Sequence, residues 1–220
     1  MAIALDNNNT NVGNGNVSPV TFTHVMNGTD HTLLIAYANI VSPSSFSWNS
    51  VTYNGVAMTQ LGTDKAYTGG QASLWYLLAP SSGSNTVSFD WSGSIGNTSV
   101  FRSISYTGVS QSSFPDASRS FSGSGTSTGN QSLSTVSDNC WEFIMLAMDP
   151  AVGGVSSWTN ATTRGNSNKL GSADTNGAIT PPQSYTISAT LAGSTNFGGW
   201  QVSFAPPSQQ TFRTLLGVGL

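Results

Sequence analysis

Residues 51–91 read VTYNGVAMTQLGTDKAYTGGQASLWYLLAPSSGSNTVSFDW, and this stretch decides the fold class. Apolar side chains alternate on both sides of the Asn-Gly pair at 54–55, and both residue types accept the positive φ angles of a two-residue hairpin turn. Residues 72–79 are almost wholly apolar, which is typical of a strand covered on both faces. Pro80 ends this run because proline cannot donate to a strand ladder. Residues 85–91 alternate again, so the stretch predicts an antiparallel meander.

Short apolar runs separated by turn residues continue through the rest of the chain. They recur roughly every 8–12 residues, a spacing typical of a sandwich or barrel, and helical periodicity upstream of the C-terminal tail never exceeds a turn or two. Later strand candidates include residues 185–189 and 199–205, and residues 43–48 are predicted as a loop. We therefore predict an all-β fold, an antiparallel jelly-roll-like (concanavalin-like) β-sandwich, with a single domain over residues 1–206 and a C-terminal extension over residues 207–220.

Charged residues make up 7% of the chain, against about 25% in an ordinary soluble domain. Ser, Thr, Asn and Gly carry the polar share instead, which indicates a surface of hydroxyl and amide groups. The net charge is −3 and the six basic residues are scattered, so the chain lacks the basic cluster that binds nucleic-acid phosphates. No run approaches the roughly 20 apolar residues that span a membrane. We expect neither nucleic acid nor a membrane as a partner.

The first residues, MAIALD, contain neither the basic segment nor the long apolar core of a signal peptide. The composition nevertheless suits an uncontrolled external environment, because neutral polar groups respond little to salt and pH. Release by cell lysis as part of a virus particle reconciles the two observations. We expect a protein made in a host cytoplasm and located on a virion surface.

Five motifs follow one another in the chain: VTYNGVAMT at 51–59, LWYLLAP at 74–80, YTGV at 106–109, DNCW at 138–141 and WQVSFA at 200–205. This succession resembles a broad group of jelly-roll domains in structural proteins of tailed phages and in some bacterial surface proteins. In that group a VTYGGVAMT hairpin precedes an LWYLVAP strand and a YTGV strand end. In physical terms these motifs are turn and core signals, and Trp75 and Trp200 are expected at the centre of the sandwich.

The resemblance implies a non-enzymatic structural protein of a phage particle, such as a capsid decoration or another surface-projecting protein. Its partners would be other virion proteins, copies of itself, or both, in a symmetric assembly. The group offers no catalytic residues to carry over to this chain. Two other functions remain open: a receptor- or glycan-binding tail or adhesion module, and, as the weaker alternative, a glycoside-active enzyme.

Candidate catalytic residues are few. His24 and His31 are expected in structural or surface roles, because no serine motif accompanies them. Cys140, the only cysteine, is expected to be a small buried hydrophobe. Glu142 is the only glutamate, and the aspartates mostly occupy turns, so a glycosidase pair of carboxylates is disfavoured. We predict no catalytic residue and no cofactor.

Two segments offer oxygen ligands of the kind that Ca²⁺ prefers, namely residues 6–9 (DNNN) and 27–30 (NGTD). Neither matches the spacing of an EF-hand, so ordinary loop solvation is favoured. Transition-metal spacing is absent from the sequence, which has one Cys and two separated His. We therefore predict no metal site.

Three aromatic residues fall among Ser and Asn in predicted loops: Trp48, Tyr67 and Trp158. An aromatic face beside amide groups can receive a glycan, so these residues are the candidate glycan-facing side chains. The favoured alternative is that they cover the ends of the sandwich. Two exposed, coplanar rings on one concave face would distinguish the first interpretation.

Residues 208–220 read SQQTFRTLLGVGL and are unusually apolar for a terminal segment. The apolar side chains are Phe212, Leu215, Leu216, Val218 and Leu220. Burial of these side chains in a neighbouring subunit, by strand addition or groove binding, is the favoured interpretation. Docking on the same chain remains the alternative.

Overall fold

The computed structural model of the protein describes residues 1–8, 13–14, 16–96, 98–148 and 153–208. Within these ranges the chain forms antiparallel strands and no helix. The predicted all-β class is therefore confirmed, and the arrangement is consistent with a β-sandwich. The jelly-roll connectivity stays a prediction.

The strands are β1 (Ala4–Asn8), β2 (Gly13–Asn14), β3 (Val20–Met26), β4 (Leu33–Val41), β5 (Ser44–Tyr53), β6 (Val56–Ala57), β7 (Thr59–Gln60), β8 (Lys65–Tyr67), β9 (Gly70–Leu78), β10 (Gly83–Ser94), β11 (Val100–Thr107), β12 (Ala117–Ser127), β13 (Gln131–Ser134), β14 (Trp141–Met148), β15 (Val155–Thr159), β16 (Thr162–Asn166), β17 (Leu170–Asp174) and β18 (Ser184–Phe204).

A central sheet has the order β1-β11-β4-β9-β7, with β2 added to β11 and β8 to β9. Every residue of β4 is buried, because other sheets cover both faces of the central sheet. Ile35 and Tyr37 face one apolar cluster, and Leu34 and Ala36 face another. This alternation follows from the two-residue period of a strand. It explains why the apolar run at residues 72–79 has no polar face.

The first outer sheet, β3-β10-β5-β6, covers one side of the central sheet. Tyr53, Phe89 and Trp91 pack there with Trp75 of the central sheet. Burial of one large apolar side chain stabilises the fold by about 1.5–3 kcal/mol. This layer contains the hairpin predicted at 54–55, which joins β5 to β6.

The second outer sheet, β12-β18-β14-β17-β16, covers the opposite side of the central sheet. Phe143, Met145 and Trp200 pack there against the central strands. The 21-residue strand β18 pairs with β13 and β15 in its first half and with β12 and β14 in its second half. A third apolar cluster, containing Ile144 and Ile187, lies between the first half of β18 and the outward face of β14.

Three details differ from the sequence predictions. The loop predicted at residues 43–48 is wrong, because β5 begins at Ser44 and pairs with β10. The strands predicted at 185–189 and 199–205 are two halves of one strand. Trp75 and Trp200 are both buried as expected, but they lie in different clusters on opposite sides of the central sheet.

Candidate functional site

The three candidate glycan-facing aromatics lie in strands, so their predicted loop placement is wrong. Trp48 is in β5, Tyr67 in β8 and Trp158 in β15. Each side chain is half-buried and packs against a different apolar cluster. The structure therefore does not bring the three rings together on one face.

The Trp48 ring is part of an aromatic group inside the first outer layer. Its centroid lies 4.5 Å from that of Trp75 and 4.7 Å from that of Phe46, both in edge-on geometry. Its indole N–H donates to both carboxylate oxygens of Asp64, at 3.2 and 3.1 Å. Aromatic contacts and the hydrogen bonds to Asp64 therefore both fix the position of the Trp48 indole.

The carboxylate of Asp64 accepts hydrogen bonds from four side chains. Besides the indole of Trp48, it accepts hydrogen bonds from the amide of Gln60 at 2.7 Å, the amide of Gln71 at 2.8 Å and the hydroxyl of Ser73 at 2.7 Å. These donors come from β5, β7 and β9, so the carboxylate ties the central sheet to the first outer sheet. A charged acceptor with this many donors is a strong structural feature.

Replacing Asp64 with alanine is expected to lower the free energy of unfolding by about 2 kcal/mol, because several partly buried donors lose their acceptor. Urea denaturation followed by circular dichroism measures the loss. Lys65→Ala, which removes the adjacent charge, is the control and should change stability by less than about 0.5 kcal/mol. An equal effect of the two substitutions would show that the hydrogen bonds to Asp64 contribute little.

His24 is completely buried between β3 and β11. Its Nδ1 lies 2.9 Å from the hydroxyl of Ser103, and its Nε2 lies 2.9 Å from the hydroxyl of Ser105. Ser105 donates in turn to Asp6 at 2.8 Å. Because the Ser105 proton goes to the carboxylate, its oxygen accepts from Nε2–H, and Nδ1 then accepts from Ser103. The result is a directed chain of hydrogen bonds from Ser103 through His24 to Asp6.

This chain differs from a Ser-His-Asp triad in two respects. The carboxylate of Asp6 contacts Ser105 rather than the imidazole, and Ser103, His24 and Ser105 are all fully buried. Burial lowers the pKa of His24 to about 4, against a smaller opposing effect of the Asp6 charge. The neutral imidazole is therefore a structural link between two sheets, and the expected structural role of His24 agrees with this placement.

Asp6 also joins the two segments that offered oxygen ligands for Ca²⁺. Its Oδ1 accepts from the backbone N–H of Gly28 at 2.7 Å, and its Oδ2 accepts from that of Asn27 at 3.1 Å. A Cβ on Gly28 would lie 2.2 Å from a methyl group of Thr107, so only glycine permits this approach. Protein donors therefore occupy the carboxylate of Asp6, which lies in strand β1.

Glu142 and Gln201 form a completely buried acid–amide pair on β14 and β18. The Gln201 amide donates to Glu142 Oε2 at 2.7 Å, whereas Glu142 Oε1 and Gln201 Oε1 have no hydrogen-bond partner among the described residues. Burial, with a smaller contribution from the Asp116 charge, raises the pKa of Glu142 to about 7, against the opposing hydrogen bond from Gln201. Protonation adds a hydroxyl donor to a site that holds two unpartnered acceptors, so the neutral acid is favoured.

Asp116 lies near this pair and remains ionised. Burial alone would raise its pKa, but hydrogen bonds from Val136, Ser137 and Ser203 lower it. Two carboxyl groups with diverging pKa values are typical of acid–base catalysts. Glu142, however, has no accessible surface through which a substrate could reach it.

Cys140 is fully buried, as the sequence predicts, and its thiol donates to the carbonyl of Ser137 at 3.1 Å. Burial and the charge of Asp116 raise the pKa of this thiol to about 12. The reactive thiolate is therefore scarce at neutral pH. His31, the second histidine, is partly exposed, and its imidazole pairs with the carboxylate of the neighbouring Asp30.

An ion pair between the partly buried Arg164 and the fully buried Asp174 joins β16 and β17, and Tyr106 links it to the central sheet. Arg164 Nε donates to Asp174 Oδ2 at 2.7 Å, and the phenol of Tyr106 donates to the same oxygen at 2.9 Å. Burial would lower the pKa of Arg164, but its hydrogen bond and charge interaction with Asp174 raise it. Burial and the Asp174 charge raise the pKa of Tyr106 well above its usual value. All three groups serve a cross-layer contact.

One concave feature lies between the N-terminal residues and Pro206-Pro207, and we call it the end groove. It has a volume of about 420 Å³, and none of the described residues that line it has a charged side chain. Its walls include Ile3, Trp141, Ala178, Pro206 and Pro207, which come from four separate segments. A polar cavity of about 320 Å³ adjoins it and contains the exposed Asp138. No sequence pattern indicated this groove, because its walls are distant along the chain.

A second, shallow feature surrounds Tyr67. It has a volume of about 260 Å³ and is lined by the Tyr67 ring with Thr68, Ser122, Ser124 and Asn196. The Tyr67 hydroxyl donates to Asn39 Oδ1 at 2.7 Å, so the phenol is fixed from within. The depression combines one aromatic ring with neutral hydroxyl and amide groups.

The predicted docking residues of the tail, Phe212, Leu215, Leu216, Val218 and Leu220, lie outside the described residues. Among the residues that the structure does describe, no group of three or more His, Cys, Asp or Glu is arranged to hold a metal ion. The same part of the chain contains no helix long and apolar enough to cross a membrane. Comparison of the chain with protein-family models, with curated proteins and with solved structures found no match.

Proposed function

We propose that this chain is a non-enzymatic structural protein of a tailed-phage particle, most simply a capsid decoration or another surface-projecting protein built on a jelly-roll sandwich. The observation that carries the proposal is the use of the buried ionisable groups. His24, Glu142 and Asp174 each connect strands at positions with no accessible surface. Their chemistry serves the stability of the scaffold rather than a substrate.

The layered core supports the same proposal. A central sheet covered on both faces gives the described part of the chain three apolar clusters, and few large apolar side chains are exposed there. A thick core and a neutral polar surface suit a part that must persist outside a cell. The end groove, next to the point where the apolar tail departs, supplies a place for attachment to other subunits.

Immunogold electron microscopy of particles from the virus that encodes this chain tests the proposal. Gold label on the head surface is the expected result, and label on the tail tip would move the protein to the adhesion class. Particles that remain unlabelled, while antibody detects the protein in the cell lysate, would contradict a structural role. A hydrolase screen of the purified protein is expected to be negative.

Glycan binding is the second candidate function, and the depression around Tyr67 favours it. Its neutral lining suits a ligand with many hydroxyl groups, because one aromatic ring and several small polar side chains converge there. A glycan array tests it directly, with Tyr67→Ala as the site variant and Trp158→Phe as the control. Binding that is lost only in Tyr67→Ala would support this function, and an array without signal would oppose it.

A further inference from the structure

We propose that the end groove receives the C-terminal tail of a second copy of this chain, with Phe212 in the apolar groove and Arg213 beside Asp138. The inference deepens the proposed function and rests on it, because a particle surface is built from contacts between copies. It names the receiving surface, the inserted segment and the charge pair that fixes their register.

The end groove has walls of a kind that suits an apolar side chain. Ile3 and Trp141 belong to the main apolar cluster. Trp141 pairs with Phe204 at the start of the ladder between β14 and β18. Ala178 is held by the adjacent bridge between Cys140 and Ile179. Strand pairing holds these walls, and Met1, Ala2 and Asn139 are also part of the lining. The volume of about 420 Å³ lies within the usual range of binding pockets, about 300–1,000 Å³. A groove with mainly apolar walls suits an apolar side chain.

The C-terminal tail follows directly from residues that line the groove. Pro206 and Pro207 line the groove, and residues 209–220 follow directly. A second proline restricts the first to an extended conformation. Twelve residues span at most roughly 40 Å, so the proposal places the partner's groove within that distance of Pro207.

The tail and the surface beside the groove carry opposite charges. Arg213 is the one charged residue of the tail, and it follows Phe212 directly. Asp138 is exposed in the polar cavity that shares Asn139, Pro206 and Pro207 with the end groove. In the proposed complex Phe212 occupies the end groove and Arg213 pairs with the Asp138 carboxylate of the adjoining cavity. Two copies that exchange tails around a two-fold axis satisfy both grooves with one kind of contact.

The first experiment measures the mass of the full chain by sedimentation velocity over a concentration series. A dimer is expected, and Phe212→Ala is expected to raise its Kd about thirtyfold, the size of effect typical of a buried interface anchor. Ala178→Lys places a charge in the groove and should weaken the dimer similarly. Val136→Lys changes another exposed apolar residue outside the groove and should leave the Kd unchanged. A monomeric full chain, or a dimer indifferent to Phe212→Ala and Ala178→Lys, would overturn the inference.

The second experiment separates exchange between copies from docking within one copy. Asp138→Arg and Arg213→Asp each replace opposite charges with like charges, so each variant alone should dimerise roughly fivefold or more weakly. An equal mixture of the two variants restores opposite charges in both contacts of a mixed dimer. Recovery of dimer in the mixture is expected. Absence of recovery, together with recovery in the double variant alone, would show docking within one chain and overturn the proposal.

Failure of this inference is distinguishable from failure of the proposed function. A monomeric chain that still labels purified particles would overturn tail exchange and leave the structural role intact. A tail-exchanged dimer that is absent from particles would do the reverse.

Discussion

Replacing Asp174 with alanine is expected to lower the free energy of unfolding by about 3–5 kcal/mol. Asp174 is fully buried, and its removal leaves the guanidinium of Arg164 and the phenol of Tyr106 without their shared acceptor. The backbone N–H of Asn176 loses its partner as well. The guanidinium of Arg164 then keeps its hydrogen bond to Asn176 but loses its counter-charge, while the fully buried phenol of Tyr106 loses its acceptor.

Chemical denaturation at neutral pH measures this loss, and two further variants interpret it. Asp174→Asn keeps the volume and one acceptor, so it should cost less than Asp174→Ala. Asp30→Ala breaks the exposed pair with His31 and should change stability by less than about 0.5 kcal/mol. A loss below about 1 kcal/mol in Asp174→Ala would mean that the cross-layer ion pair does not stabilise the fold.

Stability is also expected to respond to pH through two buried groups that act in opposite directions. The pKa of His24 is about 4 in the folded protein, below the usual 6.5, so folding favours the neutral imidazole. Its contribution is fully present above pH 6.5 and is lost as the pH falls through 4. A shift of this size corresponds to about 3 kcal/mol.

Glu142 contributes with the opposite sign. Its pKa is about 7 in the folded protein, above the usual 4.5, so folding favours the protonated acid. Its contribution is fully present below pH 4.5 and is lost as the pH rises through 7, again by about 3 kcal/mol. Between about pH 4.5 and 6.5 the opposite pH dependences of His24 and Glu142 nearly cancel in the natural protein.

Single substitutions should reveal how each of the two groups makes the free energy of unfolding depend on pH. In His24→Gln the free energy of unfolding, relative to the unchanged protein, should rise as the pH falls from 6.5 to 4. In Glu142→Gln it should rise, on the same relative scale, as the pH increases from 4.5 to 7. Urea denaturation at intervals across this range gives both difference curves. Flat curves would contradict the assignment of these two protonation states.

Local patterns predicted much of the fold. The Asn54-Gly55 turn has φ angles of 50° and 76°, as its residue types require. The strand predicted at 72–79 corresponds to β9, because a continuous apolar run ended by proline is a strong local signal. The polar strands β15 and β16 were missed, since Ser, Thr and Asn dominate them and neither carries an apolar alternation.

The sites depend on contacts that no local pattern records. The hydroxyls of Ser103 and Ser105 lie about 80 residues from His24 along the chain, yet they enclose its imidazole. Glu142 and Gln201 meet only because β14 pairs with the second half of β18. The sequence predicts only a structural or surface role for His24 and marks Glu142 only as the single glutamate. The partners and protonation states of both residues follow from the strand pairing.

The central claim is that this chain is a structural component of a phage particle, present in a fixed number of copies, and does not catalyse a reaction. Quantitative mass spectrometry of gradient-purified particles, with the amount of this chain expressed relative to the major capsid protein, tests it most directly. The account predicts a fixed ratio that persists through repeated purification and corresponds to a symmetric set of copies. Absence of the chain from the particles, or an amount that falls with each purification step, would contradict it.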